Sequence, residues 1–256
     1  MKIDLLEKKL RVYETTNDLR LSPNMFVIAR IDGRNFSRLT RQELKLKPYD
    51  QNIANCMIET AIHVMDCGFK TIYGFTQSDE ISLLLDPHNI NLTFDGKIRK
   101  FISILAGEAS AKFSTLLKHH ASFDCRIIQL PTIDYVMDYF SWRVSDSVRN
   151  CMNAWCYYIL RQEGKSPKYA QRELDNKTMS WKNEFMFKHD LNFNDLPAWQ
   201  KRGFGIYWID IEKDGYNPIT KQSVKVNRKK LFADSKLPLD NEKYREFIKG
   251  LIPKLK

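Results

Sequence analysis

The stretch that most restricts what this chain can fold into is YGFTQSDEISLLL, residues 73–85. A run rich in aromatic and β-branched residues leads in, an apolar run leads out, and only Ser78, Asp79 and Glu80 separate them. That pattern is a tight hairpin between two strands, KTIYGFTQ (70–77) and ISLLL (81–85). Adjacent carboxylates at the turn of a hairpin whose flanks are apolar are costly to desolvate, so the turn needs a reason for its charge.

The neighbouring elements place that turn. FVIARI (26–31) is a short apolar strand punctuated by Gly33. Asp50 is positioned to cap a helix whose apolar residues Ile53, Met57, Ala61, Val64 and Met65 keep helical spacing, with Gly68 at its end. A second helix is expected over about 97–118, and FDCRIIQL (123–130) closes the series as a strand. The order β-α-β-β-α-β is that of the ferredoxin-like, split βαβ arrangement, an α+β class. In such a sheet the third strand lies between the first and second, antiparallel to both. The end of strand one, with Asp32, then adjoins the turn carrying Asp79 and Glu80.

Carboxylates gathered at one rim repel each other unless a cation sits among them. Hard divalent ions such as Mg²⁺ accept one or two carboxylates, backbone carbonyls and substrate phosphates. Gly33, lacking a side chain, allows close approach of its carbonyl and of a ligand. Two such ions about 4 Å apart activate an attacking hydroxyl and neutralise a leaving group. The plainer alternative is a solvated turn, with Asp32 paired to Arg30 or Arg34. Basic residues expected around this rim are Arg34, Arg38, Lys45 and Lys47, with Lys97, Arg99 and Lys100 opening the second helix. Together with a metal pair they suit a nucleoside triphosphate.

With 256 residues, 43% of them hydrophobic, the chain is long enough to bury a sizeable core. Its formal net charge of +10 points to a polyanionic partner, most simply nucleic acid. The N-terminal stretch MKIDLLEKKL has no apolar core for a signal peptide, and no run approaches the roughly 18 apolar residues of a membrane span. The five cysteines form no C-x-x-C pair and the five histidines no metal-ligand spacing. Reduced thiols and a cytoplasmic location are therefore expected.

Four segments together, RIDGRNFSRL (30–39), YGFTQSDEISLLL, DYFSWRVSD (138–146) and SWKNEFMF (180–187), resemble the tRNA-His guanylyltransferase family. The nearer match is its subgroup of Thg1-like proteins, which repair tRNA 5′ ends. The resemblance spans nearly the whole chain, from about residue 1 to about 240. It implies a polymerase-palm core over residues 1–135, with an N-terminal helix, and a helical and β-hairpin extension over 136–256 packed on it. It also implies 3′-to-5′ nucleotide addition to tRNA, with ATP for activation, GTP or another nucleoside triphosphate for extension, two Mg²⁺ ions and a homotetramer. By matching motif, Asp32, the Gly33 carbonyl and Asp79 would hold the metals, with Glu80 in support. Arg34, Asn35, Phe36, Lys47 and Ser78 would meet the nucleotide, and Lys100 and Lys182 a phosphate or the RNA end.

Where tRNA-His-specific members carry His-Ile-Asn-Asn-Leu-Tyr-Asn, this chain has Ser147-Val148-Arg149-Asn150-Cys151-Met152-Asn153. Asn150 and Asn153 survive as candidate RNA contacts, but the histidine is replaced by Ser147. Template-dependent repair of truncated tRNA is thereby favoured over addition of the extra guanylate to tRNA-His.

Further along, residues 147–163 are expected to form a helix with Trp155, Tyr157, Tyr158 and Leu160 in the core. A hairpin across DGYNP carries Lys221, Lys225, Arg228, Lys229 and Lys230 with no acidic partner in its second strand. Those residues form either a solvated, lysine-protected edge or a surface that tracks the acceptor-arm phosphates, Lys225, Arg228 and Lys229 being the candidate contacts. A non-catalytic RNA-binding module would present aromatics on its central strands. ISLLL has none, and carboxylates at its start would repel phosphate. A nucleotide cyclase would share the metal pair but not the SWR and KNE segments.

Overall fold

The computed structural model describes residues 3–88, 93–217 and 222–253. An N-terminal helix, α1 (Ile3–Thr15), precedes β1 (Phe26–Gly33) and a short turn of helix, α2 (Phe36–Arg38), which runs into a π-helical turn, Leu39–Glu43. Then come α3 (Gln51–Asp66), β2 (Thr71–Gln77), β3 (Glu80–Leu85), α4 (Ile98–Leu117) and β4 (Phe123–Leu130). The second half holds the helices α5 (Ile133–Gln162), α6 (Pro167–Leu174), α7 (Met179–Phe187) and α8 (Ala198–Arg202). It ends with the strands β5 (Phe204–Asn217) and β6 (Gln222–Asp234) and the helix α9 (Asn241–Leu251).

All six strands join one sheet in the order β4-β1-β3-β2-β5-β6, each neighbouring pair antiparallel. β3 lies between β1 and β2, as the β-α-β-β-α-β order requires. The period-two alternation of strand side chains then builds two cores. Val27, Ala29, Ile31, Ile81 and Leu83 point to one face, under α3 and α4 (Met57, Val64, Leu105, Phe113). Phe26, Ile28, Tyr73, Phe75 and Leu84 point to the other, under α5 and α9 (Val136, Phe140, Val144, Tyr244, Ile248).

Local chemistry fixes the ends of these elements. The Asp50 carboxylate accepts from the amides of Asn52 (2.9 Å) and Ile53 (3.2 Å), the N-cap of α3. The β2–β3 hairpin closes through the pair Gln77 and Glu80, leaving Ser78 and Asp79 as a two-residue turn. Ser78 takes the positive φ, 55°, that tight hairpins of this kind demand.

Two elements differ from the sequence expectation. α5 begins at Ile133 rather than near 147, capped by Thr132, because its buried stripe runs without a break through Val136, Phe140, Arg143 and Ser147. Two polar residues inside that stripe conceal it from a hydrophobicity pattern. The second hairpin is longer than its DGYNP segment implied. Asp214, Gly215 and Tyr216 are strand residues paired with Lys225, Val224 and Ser223, so the turn, with Lys221, lies outside the described residues.

The C-terminal helix is locked to the sheet by a buried contact between the hydroxyls of Tyr73 and Tyr244, 3.0 Å apart. Tyr244→Phe leaves the Tyr73 hydroxyl without that partner and is expected to cost about 1–3 kcal/mol in urea unfolding. Changing both to Phe is expected to cost less than the single change, since no orphaned hydroxyl remains.

Candidate active site

The functional rim forms where β1 ends against the β2–β3 turn. Asp32 and Glu80 are direct partners in the β1–β3 register. One residue further, the Gly33 amide donates to the Asp79 carbonyl (3.0 Å). A methyl group at Gly33 would lie 2.4 Å from the Phe36 ring and 2.8 Å from the Asp79 Cβ. Only glycine therefore lets the strand end and the turn meet at this distance.

These residues sit in a cleft of about 1070 Å³. Of the expected site residues, Asp32, Asn35, Phe36, Lys47, Ser78, Asp79, Glu80, Asn150 and Asn153 line it, as do Arg38 and Lys45. Tyr157 and Tyr158, expected in the core, are half-buried and line the cleft from α5, and Tyr157 also packs against the core cluster of Cys156 and Leu160. Arg161, Asp146, Trp199 and Phe204 also line it and were not anticipated. The spacing of Asp146, Asn150, Asn153, Tyr157 and Arg161, three or four residues apart, is the signal that would have found that face of α5. The Arg41 guanidinium stacks 4.4 Å from the Tyr157 ring centroid across the cleft.

Other candidates fall elsewhere. The amide of Arg34 donates to the Ser122 carbonyl (2.8 Å), and its side chain is not among those lining the cleft. The Phe36 ring is buried between Phe113 and Phe123, at centroid distances of 5.1 and 5.0 Å, so only its backbone is free to meet a ligand. Lys97, Arg99 and Lys100 do not surround this rim. It is the C-terminal half of α4, through Phe113, that touches Phe36, so these residues occupy the opposite end of a helix about 30 Å long. Lys97 and Arg99 are paired there with Asp18. Lys182 is buried within α7 and does not line the cleft; the Cys156 thiol of α5 donates to its carbonyl oxygen (3.6 Å). No acidic residue lies between Tyr216 and Ala233, and Lys225 pairs instead with Glu212 of β5 across the hairpin (2.7 Å). Arg228 and Lys229 are exposed opposite Ile211 and Asp210, about 20 Å along β5 from Phe204, the strand's cleft end.

The electrostatics of the rim separate the three carboxylates. Glu80 is fully engaged: Oε1 accepts from Arg143 Nε (2.8 Å) and Ser82 Oγ (3.1 Å), and Oε2 accepts from Arg143 Nη2 (2.7 Å). Asp32 has only long ion pairs, with Arg126 at 3.7 Å and Arg30 at 3.9 Å. Asp79 is pushed up to about 6, first by burial and then by the charge of Asp32. The Asp32 and Asp79 carboxylates, the latter accepting from the Ser78 hydroxyl, have no close cationic partner among the described residues; with the Gly33 carbonyl they make a set of hard oxygens, although Gly33 itself is not among the residues lining the cleft. Among the described residues no group of three or more His, Cys, Asp or Glu is gathered for a metal. Two carboxylates completed by substrate phosphates is nonetheless a usual donor set for Mg²⁺, and a cation would relieve the repulsion felt at Asp79. The residues fit that ion.

Comparison with known proteins identifies the family. Residues 7–131 match the family described as Thg1, tRNAHis guanylyltransferase, and residues 134–244 match the Thg1 C terminal domain. A probable tRNA(His) guanylyltransferase of Dictyostelium discoideum is 31% identical over 198 residues, 73% of this chain and 77% of that protein. A bacterial tRNA(His) guanylyltransferase (Thg1)-like protein in complex with ATP superposes with a TM-score of 0.74 at 28% identity, covering 96% of this chain and 99% of that one. The same kind of bacterial protein in complex with GTP gives 0.69 at 28% identity, covering 97% and 99%.

In the metal-free chain the raised Asp79 favours the protonated folded state, so its share of stability is present below about pH 4 and is lost as pH rises through about 6. Asp79→Asn removes that loss. With chelator at pH 7.5 it is expected to stabilise the protein by about 1–3 kcal/mol, the lower end reflecting partial solvent screening of Asp79. The gain should fall to about a third of that by pH 4.5 and toward zero by about pH 3, as read by denaturant unfolding at the three pH values. The two family matches between them take in most of the sequence: the chain belongs to the tRNAHis guanylyltransferase (Thg1) family of nucleotidyltransferases.

Proposed function

We propose that the chain is a template-dependent 3′-to-5′ nucleotidyltransferase that adds nucleotides to the 5′ end of truncated tRNA, using ATP for activation and GTP or another nucleoside triphosphate for extension. The observation that carries this reading is the pair of carboxylates, Asp32 and Asp79, brought together beside Gly33 with no close cationic partner among the described residues, in a cleft lined by cations. The ATP- and GTP-bound structures of bacterial relatives support nucleotides as its substrates. In this reading β1–β4 with α3 and α4 act as a polymerase-palm-like core, and α5 to α9 with the β5–β6 hairpin act as the extension.

Activation joins the 5′-phosphate oxygen of the RNA to the α-phosphorus of ATP and releases pyrophosphate. In the second step the 3′-hydroxyl of the incoming triphosphate attacks the 5′ phosphorus and AMP leaves. Two magnesium ions, when bound, supply hydroxyl activation and charge neutralisation. Asp32, Asp79 and the Gly33 carbonyl would hold them. Lys47 and Ser78 line the cleft beside the carboxylates and would orient the triphosphate. Asn150 and Asn153 face the same space from α5, placed to hydrogen-bond the RNA end or the sugar.

Repair is favoured over guanylylation of tRNA-His by the state of Ser147. At the place of the histidine in tRNA-His-specific members, Ser147 is fully buried, and its hydroxyl lies within hydrogen-bonding reach of the carbonyls of Val144 (2.7 Å) and Lys201 (2.9 Å). It anchors α8 and presents nothing to a substrate. The test supplies purified protein with Mg²⁺, ATP and GTP, and compares a 5′-truncated tRNA with full-length tRNA-His. Extension of the truncated RNA is expected to be at least about tenfold faster, and Asp32→Ala or Asp79→Ala to lower it by about 10³-fold or more while the protein stays folded. Preference for intact tRNA-His would turn the reading to guanylylation, and RNA binding with no extension would leave a binding module.

A further inference from the structure

We propose that Arg143 is a positioning residue that withholds Glu80 from the cation site of Asp32 and Asp79 and ties the metal-holding turn to the cleft-lining face of α5. This rests on the metal reading of those two aspartates.

Glu80 is the register partner of Asp32 and the chain neighbour of Asp79. A free carboxylate there would become a third anionic ligand. Instead it is held by the planar fork of Arg143 through two bonds, with the two side chains only 7% and 11% exposed. The grip is reinforced by Ser82 Oγ, which also lies 2.9 Å from the Tyr139 hydroxyl. Arg30 adds only a long ion pair. Its buried Nε stands 3.8 Å from Glu80 Oε2, beyond hydrogen-bond reach, and has no hydrogen-bond partner among the described residues.

A buried ion pair contributes little net stability compared with an apolar pair of the same volume, so stability alone does not account for it. Its geometry links two parts of the site. Arg143 Nη2 also donates to Asp146 Oδ2 (2.9 Å), and Asp146 accepts from Arg149 and from Asn150 Nδ2 (3.4 Å). The guanidinium thus joins the start of β3 to the row Asp146, Asn150 and Asn153. A lysine has three donors but all on one nitrogen, so it cannot reproduce the planar two-nitrogen grip on both Glu80 oxygens.

The test measures Mn²⁺ binding to the full chain by electron paramagnetic resonance, without RNA or nucleotide, alongside single-turnover extension of a truncated tRNA. Arg143→Gln frees Glu80 to join the site. Mn²⁺ is expected to bind at least about fivefold more tightly, while extension falls about 100-fold, about tenfold of it from the third carboxylate on the metal and the rest from lost register between the turn and α5. Adding Glu80→Gln to that variant removes the released charge. The double variant is expected to bind Mn²⁺ within about twofold of the parent and to recover extension at least about tenfold over Arg143→Gln alone. It also leaves no lone buried charge, so it carries the comparison when the single variant fails to fold. Unchanged Mn²⁺ affinity in folded Arg143→Gln, or weakening of fivefold or more in the double variant, overturns the proposal and leaves the metal reading standing. Mn²⁺ binding indifferent to Asp79→Asn overturns the metal reading, and this proposal with it.

Discussion

The packing of a side-chain-free residue against a hairpin turn is the contact from which the rest of the site follows. Gly33 ends β1, donates to the Asp79 carbonyl, and leaves no room for a Cβ between Phe36 and Asp79. That contact sets Asp32 and Asp79 side by side although 47 residues separate them in sequence. Half-buried carboxylates so close are costly, and the raised proton affinity of Asp79 records that cost, from burial first and then from the charge of Asp32. The fold tolerates it because β3 is clamped from both faces: Ile81 and Leu83 by α3 and α4, Leu84 by α5 and α9. A few kcal/mol of local repulsion is small against two apolar cores meeting on one strand.

The order of strands and helices was legible because each carries a local signal that agrees with its tertiary role. The apolar run of β1, the Asp50 cap and the hairpin turn each demand the geometry they adopt. Asp32, Asp79 and their neighbours in the cleft were legible for the same reason, since topology alone brings them together. The errors arose where local pattern and tertiary role diverge. Arg143 and Ser147 occupy core positions of α5 that a hydrophobicity stripe reads as solvent, because their burial depends on partners far away in sequence: Glu80 for one, Lys201 for the other. Tyr157 and Tyr158 depart in the opposite sense. An aromatic at helical spacing suits a core, and Tyr157 does pack against one, but only the cavity beside α5 identifies the two as its lining.

Charge was the least informative signal at the level of single residues. A net charge of +10 is a property of the whole surface, and its members serve different ends. Lys97 and Arg99 hold the loop before α4 through Asp18, Lys225 meets Glu212 across the hairpin, and Lys45, Lys47 and Arg161 face the cleft. Sequence neighbours such as Lys97 and Lys100 were grouped with the rim because they open a helix that packs on the right strands. A helix about 30 Å long has two ends, and which end reaches the rim is fixed only by the connection from Leu117 into β4.

α5 is where these strands of argument meet. Its first half covers the sheet with Val136, Phe140 and Val144; its second half packs α6 and α7 around Cys156 and Leu160. Between them lies the segment Arg143–Asn153, whose polar residues are either spent internally or turned to the cleft. A single rigid helix of 30 residues therefore holds the turn through Glu80 and presents Asp146, Asn150 and Asn153 to whatever the cleft binds. Loops in those places would each need separate ordering, at a cost of about 1–2 kcal/mol per residue fixed. Building both on one helix fixes their spacing once, when the chain folds. In that arrangement a substitution such as serine at position 147 alters what the helix offers a substrate without altering where the helix lies.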